Sequence, residues 1–383
     1  MKRKKIFIGV MLVCLIGTII FFKEKDLFNG YFSTVKLQFL LNYISDNYLY
    51  DVDEKLGEEG IYTGYLEALQ SKGTYYLNKN QLKTAKIRAE GNEFGVGLKL
   101  MWGIDEQFLI VVEVANNSPA SKVGMRVGDC IIKINDVQAI SANGEKIIEL
   151  INNEAGESIQ YEIKRDQALL NIQLTPEEIV LEDFKEEVIE DILYIKFNTV
   201  KEGTSSKLDT VIKQVGPENC KGIILDLRDV TTDNIKEINK ISDLFLDEGT
   251  AFKVQTKQEG VVLYTTKEGA YTMNMILLTN QQTKGGMEAL VLALKERGQI
   301  LGGNTGGDAY LSQIITFEDG TGMSVASGKI SDRYGEVLSE KGIEPDVRLY
   351  ISEQERIAIF EKGYISKEED SYLREAIKRL KSL

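Results

Sequence analysis

Three short runs rich in β-forming residues constrain this chain most: Ile192–Phe197, Gly222–Leu227 and Met275–Thr279. Helical patterns separate or follow them, at Ser205–Val215, Ile235–Leu246 and Glu288–Arg297. Strand–helix–strand alternation of this kind predicts an α/β core built on a largely parallel sheet. The 383 residues leave room for two or three domains with cores of their own.

Two further regions flank that core on its amino-terminal side. Residues 26–90 read as mostly helical, with apolar residues three and four apart in Val35–Leu41 and Gly64–Leu69. From Gly91 to Pro176 come short strands punctuated by glycine and by Asn116-Asn117-Ser118-Pro119. A charged amphipathic helix at Glu368–Ser382 closes the chain. The expected divisions are 1–25, 26–90, 91–176, 177–350 and 351–383.

The first 25 residues read as a membrane signal. Lys2-Arg3-Lys4-Lys5 precedes an uncharged apolar run over 6–22, and Lys23 closes it. Seventeen helical residues cover about 25 Å, and flanking lysines snorkel across the remainder of a ~30 Å hydrocarbon core. Phe21-Phe22-Lys23 is a poor cleavage pattern, so the expectation is an uncleaved anchor with the bulk of the chain extracytoplasmic. A cleaved secretory peptide is the alternative.

Composition excludes several chemistries. No histidine is present, which removes Ser-His-Asp and Cys-His catalysis and the commonest zinc ligand. Beyond residue 25 the chain carries a formal charge of −18, which repels phosphate backbones and disfavours nucleic acid. No Asp-x-Asp-x-Asp-Gly spacing suggests calcium, and no cofactor is expected. Outside the leader, Cys130 and Cys220 read as small buried hydrophobes rather than a disulfide framework.

The order Phe94-Gly95-Val96-Gly97-Leu98, Val111–Val114, Ser118–Met125 and Val127–Asn135 resembles a PDZ domain of the bacterial protease-associated kind. That resemblance implies that Phe94, Gly95, Val96 and Gly97 cradle a peptide's terminal carboxylate while the peptide adds as a strand. The other reading is that these glycines only permit a tight turn and the groove is filled from within.

Residues 35–383 as a whole resemble the carboxyl-terminal processing peptidases, or tail-specific proteases. Gly64–Leu69 with Tyr75-Tyr76-Leu77, Gly222–Arg228, Asp243–Gly249, Asp319-Gly320-Thr321-Gly322 and Gly342–Asp346 carry the likeness. It implies a ClpP/crotonase-like α/β peptidase core with an inserted PDZ domain, a helical amino-terminal segment and one membrane anchor. The family's chemistry needs an attacking serine, a lysine held neutral by burial, and backbone amides for the oxyanion. Counting back three residues from Glu288, the serine position is Gly285. The lysine position, four residues before Gln313, is Ala309, or Asp308 if the glycines are aligned instead. Gln313 resembles the residue that steadies the lysine. The family's glycine-rich oxyanion turn reads Val230-Thr231-Thr232-Asp233.

The expectation is therefore a pseudopeptidase that binds polypeptide C-termini or a protein partner without hydrolysis. Losing one oxyanion donor costs about 10²–10³ in rate, and losing a triad member leaves only about 10³–10⁴ over water. Two alternatives stand beside it. One is an active serine- or threonine-type endopeptidase with displaced residues, Thr283 with Lys284 or Asp308. The other is a structural partner of an active paralogous peptidase.

Overall fold

A computed structural model describes residues 34–103, 106–152, 156–308, 310–352, 355, 358 and 369–382. The apolar run at 6–22 and Ala309 lie outside the described residues. Among the described residues no helix is long and apolar enough to cross a membrane. The chain divides into two units, Met1–Tyr65 and Leu66–Leu383. In the first, residues 34–47 are helical, and Phe39, Leu40, Leu49 and Tyr50 are each more than half exposed. The helix Glu54–Glu67 buries no side chain.

In the second unit, strands Leu98–Trp102 (β1), Leu109–Val114 (β2), Cys130–Ile134 (β3), Ile159–Arg165 (β4) and Ala168–Leu174 (β5) form an antiparallel sheet in chain order. Val111, Ile131, Ile134, Tyr161 and Ile163 alternate inward and pack with Ile147 of helix Gly144–Ile151 (α1). β1 lies at the edge of this sheet, with one side unpaired among the described residues. Asp129 accepts a two-pronged pair from Arg165, at 2.6 and 2.7 Å, and locks the turn into β3 against β4.

The parallel α/β core follows. Phe184–Ile189 (β6), Ile192–Phe197 (β7), Gly222–Asp226 (β8), Asn274–Thr279 (β9), Gln299–Gly302 (β10) and Val347–Arg348 (β11) lie side by side in that order, parallel from β7 onward. Helices Thr204–Val215 (α2), Ile235–Asp243 (α3) and Gly286–Leu294 (α4) connect the parallel strands. The inner strands β7 to β10 bury both faces. Leu193, Ile195, Ile223, Leu225 and Leu277 pack with the connecting helices. Tyr194, Ile224, Ile276 and Leu301 pack instead on Leu373, Ala376 and Leu380 of helix Ser371–Ser382 (α5). The closing helix is therefore a wall of the core.

The sequence reading contains no counterpart to a second core sheet. Tyr75–Leu77, Gly249–Thr256, Gly260–Thr266, Tyr310–Thr316 and Gly322–Asp332 form a five-stranded sheet. Its long-range pairs, such as Tyr75 with Ser324, join segments some 250 residues apart, which local periodicity cannot reveal.

Candidate functional site

The loops leaving β8, β9 and β10 meet at the carboxyl edge of the parallel sheet, where α/β folds place their sites. The loop after β9 turns into α4 at Gly285, which has φ 61° and ψ −128°. A side chain rarely adopts this sharp strand-to-helix corner, and glycine does so without a Cβ penalty. Thr231–Thr232 pairs in parallel with Lys284–Gly285. A Cβ on Gly285 would sit 2.8 Å from the Thr232 carbonyl oxygen and 3.6 Å from Asp233 Oδ1. At this corner, then, a carbonyl and a carboxylate face a residue with no side chain.

The neighbours are committed elsewhere. Thr283 is fully buried, donates its hydroxyl to the Leu227 carbonyl at 2.9 Å and accepts from the Asn280 amide at 3.1 Å. Those bonds tie the loop to the end of β8 and leave its oxygen facing away from solvent. The Lys284 stem runs over Gly306, where a Cβ would meet its Cγ at 2.5 Å. Glu288, in the first turn of α4, is buried and accepts from Thr305 Oγ1 and from the Gly307 and Asp308 amides, the latter two at 2.8 Å. Burial raises its carboxyl above the usual range against these hydrogen bonds. Glu288 thus holds the 305–308 loop, a role that its use as a sequence landmark did not anticipate.

Asp308, one of the two residues read as the lysine position, is half-buried, and the other, Ala309, lies outside the described residues. Desolvation by the surrounding loops, followed by the charge of Asp308, pushes the Asp233 carboxyl up to about 6, although its outer side still meets water. Gln313 is exposed on a strand of the second sheet, paired in register with Val325. Among the described residues the crevice brings together two acids and a carbonyl, and no serine.

The PDZ loop is partly pinned. Glu93–Gly95 pairs antiparallel with Glu177–Ile179, so Phe94 and Gly95 form a short ladder rather than a free turn. Val96 and Gly97 accept through their carbonyls from the Ala120 and Ala115 amides, at 3.0 and 2.9 Å. Their own amides have no acceptor among the described residues. Gly97 has φ +78°, and a Cβ there would lie 2.2 Å from Ser118 Cβ, so only glycine fits.

Phe94–Lys99 line a cavity of about 540 Å³ together with Arg228, Asp229, Thr231 and Gln282 of the core. Lys99 on β1 pairs with Asp229 at 2.6 Å, and Asn280 donates to the same carboxylate at 2.8 Å. The PDZ edge strand is thereby tied to the loop that leads to Gly285. Nothing in the local sequence signalled this pair, because its members are 130 residues apart.

Behind this loop Asp226 is fully buried and accepts from Arg228 at 2.6 and 2.8 Å and from the Tyr194 hydroxyl at 2.8 Å. Arg228 also reaches Asp370 at 2.7 Å and stacks over Tyr372. Burial would raise the Asp226 carboxyl, but the Arg228 charge and hydrogen bonds outweigh it and hold it low.

Comparison with known proteins agrees with this arrangement. Residues 191–349 match the model for peptidase family S41, and residues 110–165 match a PDZ domain. The chain is 26% identical over 351 residues to the carboxy-terminal processing protease CtpA of Bacillus subtilis, covering 88% of this chain and 74% of that protein. It is 23% identical over 311 residues to a CtpA-like serine protease of Staphylococcus aureus, covering 80% of this chain and spanning 62% of that protein's length. The fold is similar to that of the photosystem II D1 C-terminal processing protease, with TM-score 0.55, 20% identity and coverage of 80% and 85% of the two chains. A Bacteroides fragilis structure assigned to the S41 proteases gives TM-score 0.58 at 13% identity, covering 84% and 90%. Residues 191–349 thus form a peptidase S41 domain, with a PDZ domain ahead of it over residues 110–165.

Proposed function

We propose that this protein is an extracytoplasmic pseudopeptidase, anchored through residues 6–22, that captures polypeptide C-termini or a protein partner without cutting them. One observation carries the reading: Gly285 stands at the strained corner of the peptidase fold, with the Thr232 carbonyl oxygen only 2.8 Å from where a nucleophile's Cβ would stand. A serine would bring its oxygen there only by moving that carbonyl. The unpaired amides of Val96 and Gly97, the open edge of β1 and the cavity shared with the core supply the binding half.

Full-length protein incubated with unstructured, apolar-tailed polypeptides should yield no cleavage products. Cleavage that survives further purification refutes the reading. Gly95 has open space where a Cβ would stand, so Gly95→Glu adds an acid beside the cradle without a steric clash. Loss of tail binding in that variant supports the cradle, and unchanged binding removes it.

A second reading is an active serine- or threonine-type endopeptidase, favoured by the names of the relatives, which are proteases. Covalent labelling by a fluorophosphonate would establish it. The buried, doubly bonded Thr283 makes a poor nucleophile, so any labelling is expected to persist in Thr283→Ala.

A further inference from the structure

A second cavity, of about 790 Å³, opens on the other side of the 280–284 loop. Lys284, Lys341 and Arg348 line it, against Glu340 as the one acid, in a chain whose net charge is −13. None of the three cations is ion-paired among the described residues. The segments that carry two of them are nevertheless tied together. Asn304 accepts from Arg348 Nη2 at 2.6 Å and donates to the Lys341 carbonyl at 3.2 Å, which joins two of the cationic segments. Arg348 lies on β11 in register with Gly302, and the Lys284 stem rests on Gly306. Gln282 lines both this cavity and the one that contains the PDZ loop.

We infer that this cavity is a subsite for the acidic side chains of a bound polypeptide, lying beyond the segment held at the PDZ loop. Three cations, unpaired among the described residues and grouped in one concave wall, recognise carboxylates and select against basic segments. The exposed Tyr350 and the half-buried Tyr372 add flat apolar surface beside them. The identity of the ligand as a polypeptide rests on the tail-capture reading, whereas the charge preference rests on the cavity alone.

Fluorescence anisotropy on the full-length protein tests both. The probes are peptides with one shared apolar tail and an upstream segment that is either Asp/Glu-rich or Ser/Gln-rich, each with a free or an amidated C-terminus. The acidic peptides should bind roughly tenfold tighter at low salt, whichever end they carry, and the advantage should fade as salt rises. The double variant Lys341→Glu/Arg348→Glu should erase that preference and favour a Lys-rich segment instead. Equal affinity for acidic and neutral segments in the wild-type protein overturns the subsite, as does an acidic preference that survives the double variant. Equal affinity for free and amidated ends overturns tail capture while leaving the charge preference to be read separately.

Discussion

Gly285 holds φ 61° and ψ −128°, and its Cβ position is crowded by the Thr232 carbonyl at 2.8 Å. Gly285→Ser, which places a hydroxyl at this corner, therefore strains it. We expect a loss of about 1–3 kcal/mol in urea unfolding and no gain of peptidase activity. Asp233 makes a second residue-scale prediction. Its folded carboxyl is raised to about 6, so its contribution to stability is fully present below the unfolded value of about 3.9 and is lost as pH rises through 6. The side chain meets water, so screening keeps the effect below about 1 kcal/mol. An NMR titration should place its midpoint near 6, and Asp308→Asn should lower that midpoint without returning it to the ordinary value, because desolvation is the larger cause.

At the scale of elements, α5 is a load-carrying cover of the parallel sheet. Leu373 and Leu380 are almost fully buried against Tyr194, Ile224, Ile276 and Leu301. Leu373→Ala should cost about 2–5 kcal/mol, read by chemical denaturation, as for any large-to-small change in a core that cannot collapse around the hole. An exposed terminal tail would give a change close to zero. The ion pair between Lys99 on β1 and Asp229 differs in kind. Both partners are more than a third exposed, so it orients the PDZ edge strand against the core while contributing little stability.

For the whole molecule, acid lability should follow the carboxylates that folding holds low. Asp226 is the most buried of these, with Asp183, Asp229, Glu237 and Asp332 alongside. In each, burial acts upward and is outweighed by lysine or arginine charges and hydrogen bonds. A depressed carboxylate stabilises above its unfolded pKa and loses that contribution as pH falls through the folded value. Thermal midpoints should thus drop steeply below about pH 4, opposite in sign to the small Asp233 contribution. Asp226→Asn should flatten part of that drop, at the cost of leaving Arg228 with Asp370 as its one carboxylate partner.

Local spacing carried much of the architecture. The apolar runs at 192–197, 222–227 and 275–279 specified parallel strands, because residues two apart share a face whatever surrounds them. The count back from Glu288 reaches the strand-to-helix corner at Gly285, whereas the count back from Gln313 reaches Ala309, outside the described residues. Tertiary structure alone decided what those positions face: the Thr232 carbonyl at Gly285, the buried bonds that occupy Thr283, the Lys99–Asp229 tie and the cationic cavity around Asn304. Each of these joins segments from 37 to 130 residues apart, and no local periodicity encodes which loops the packing of a sheet will bring to one edge.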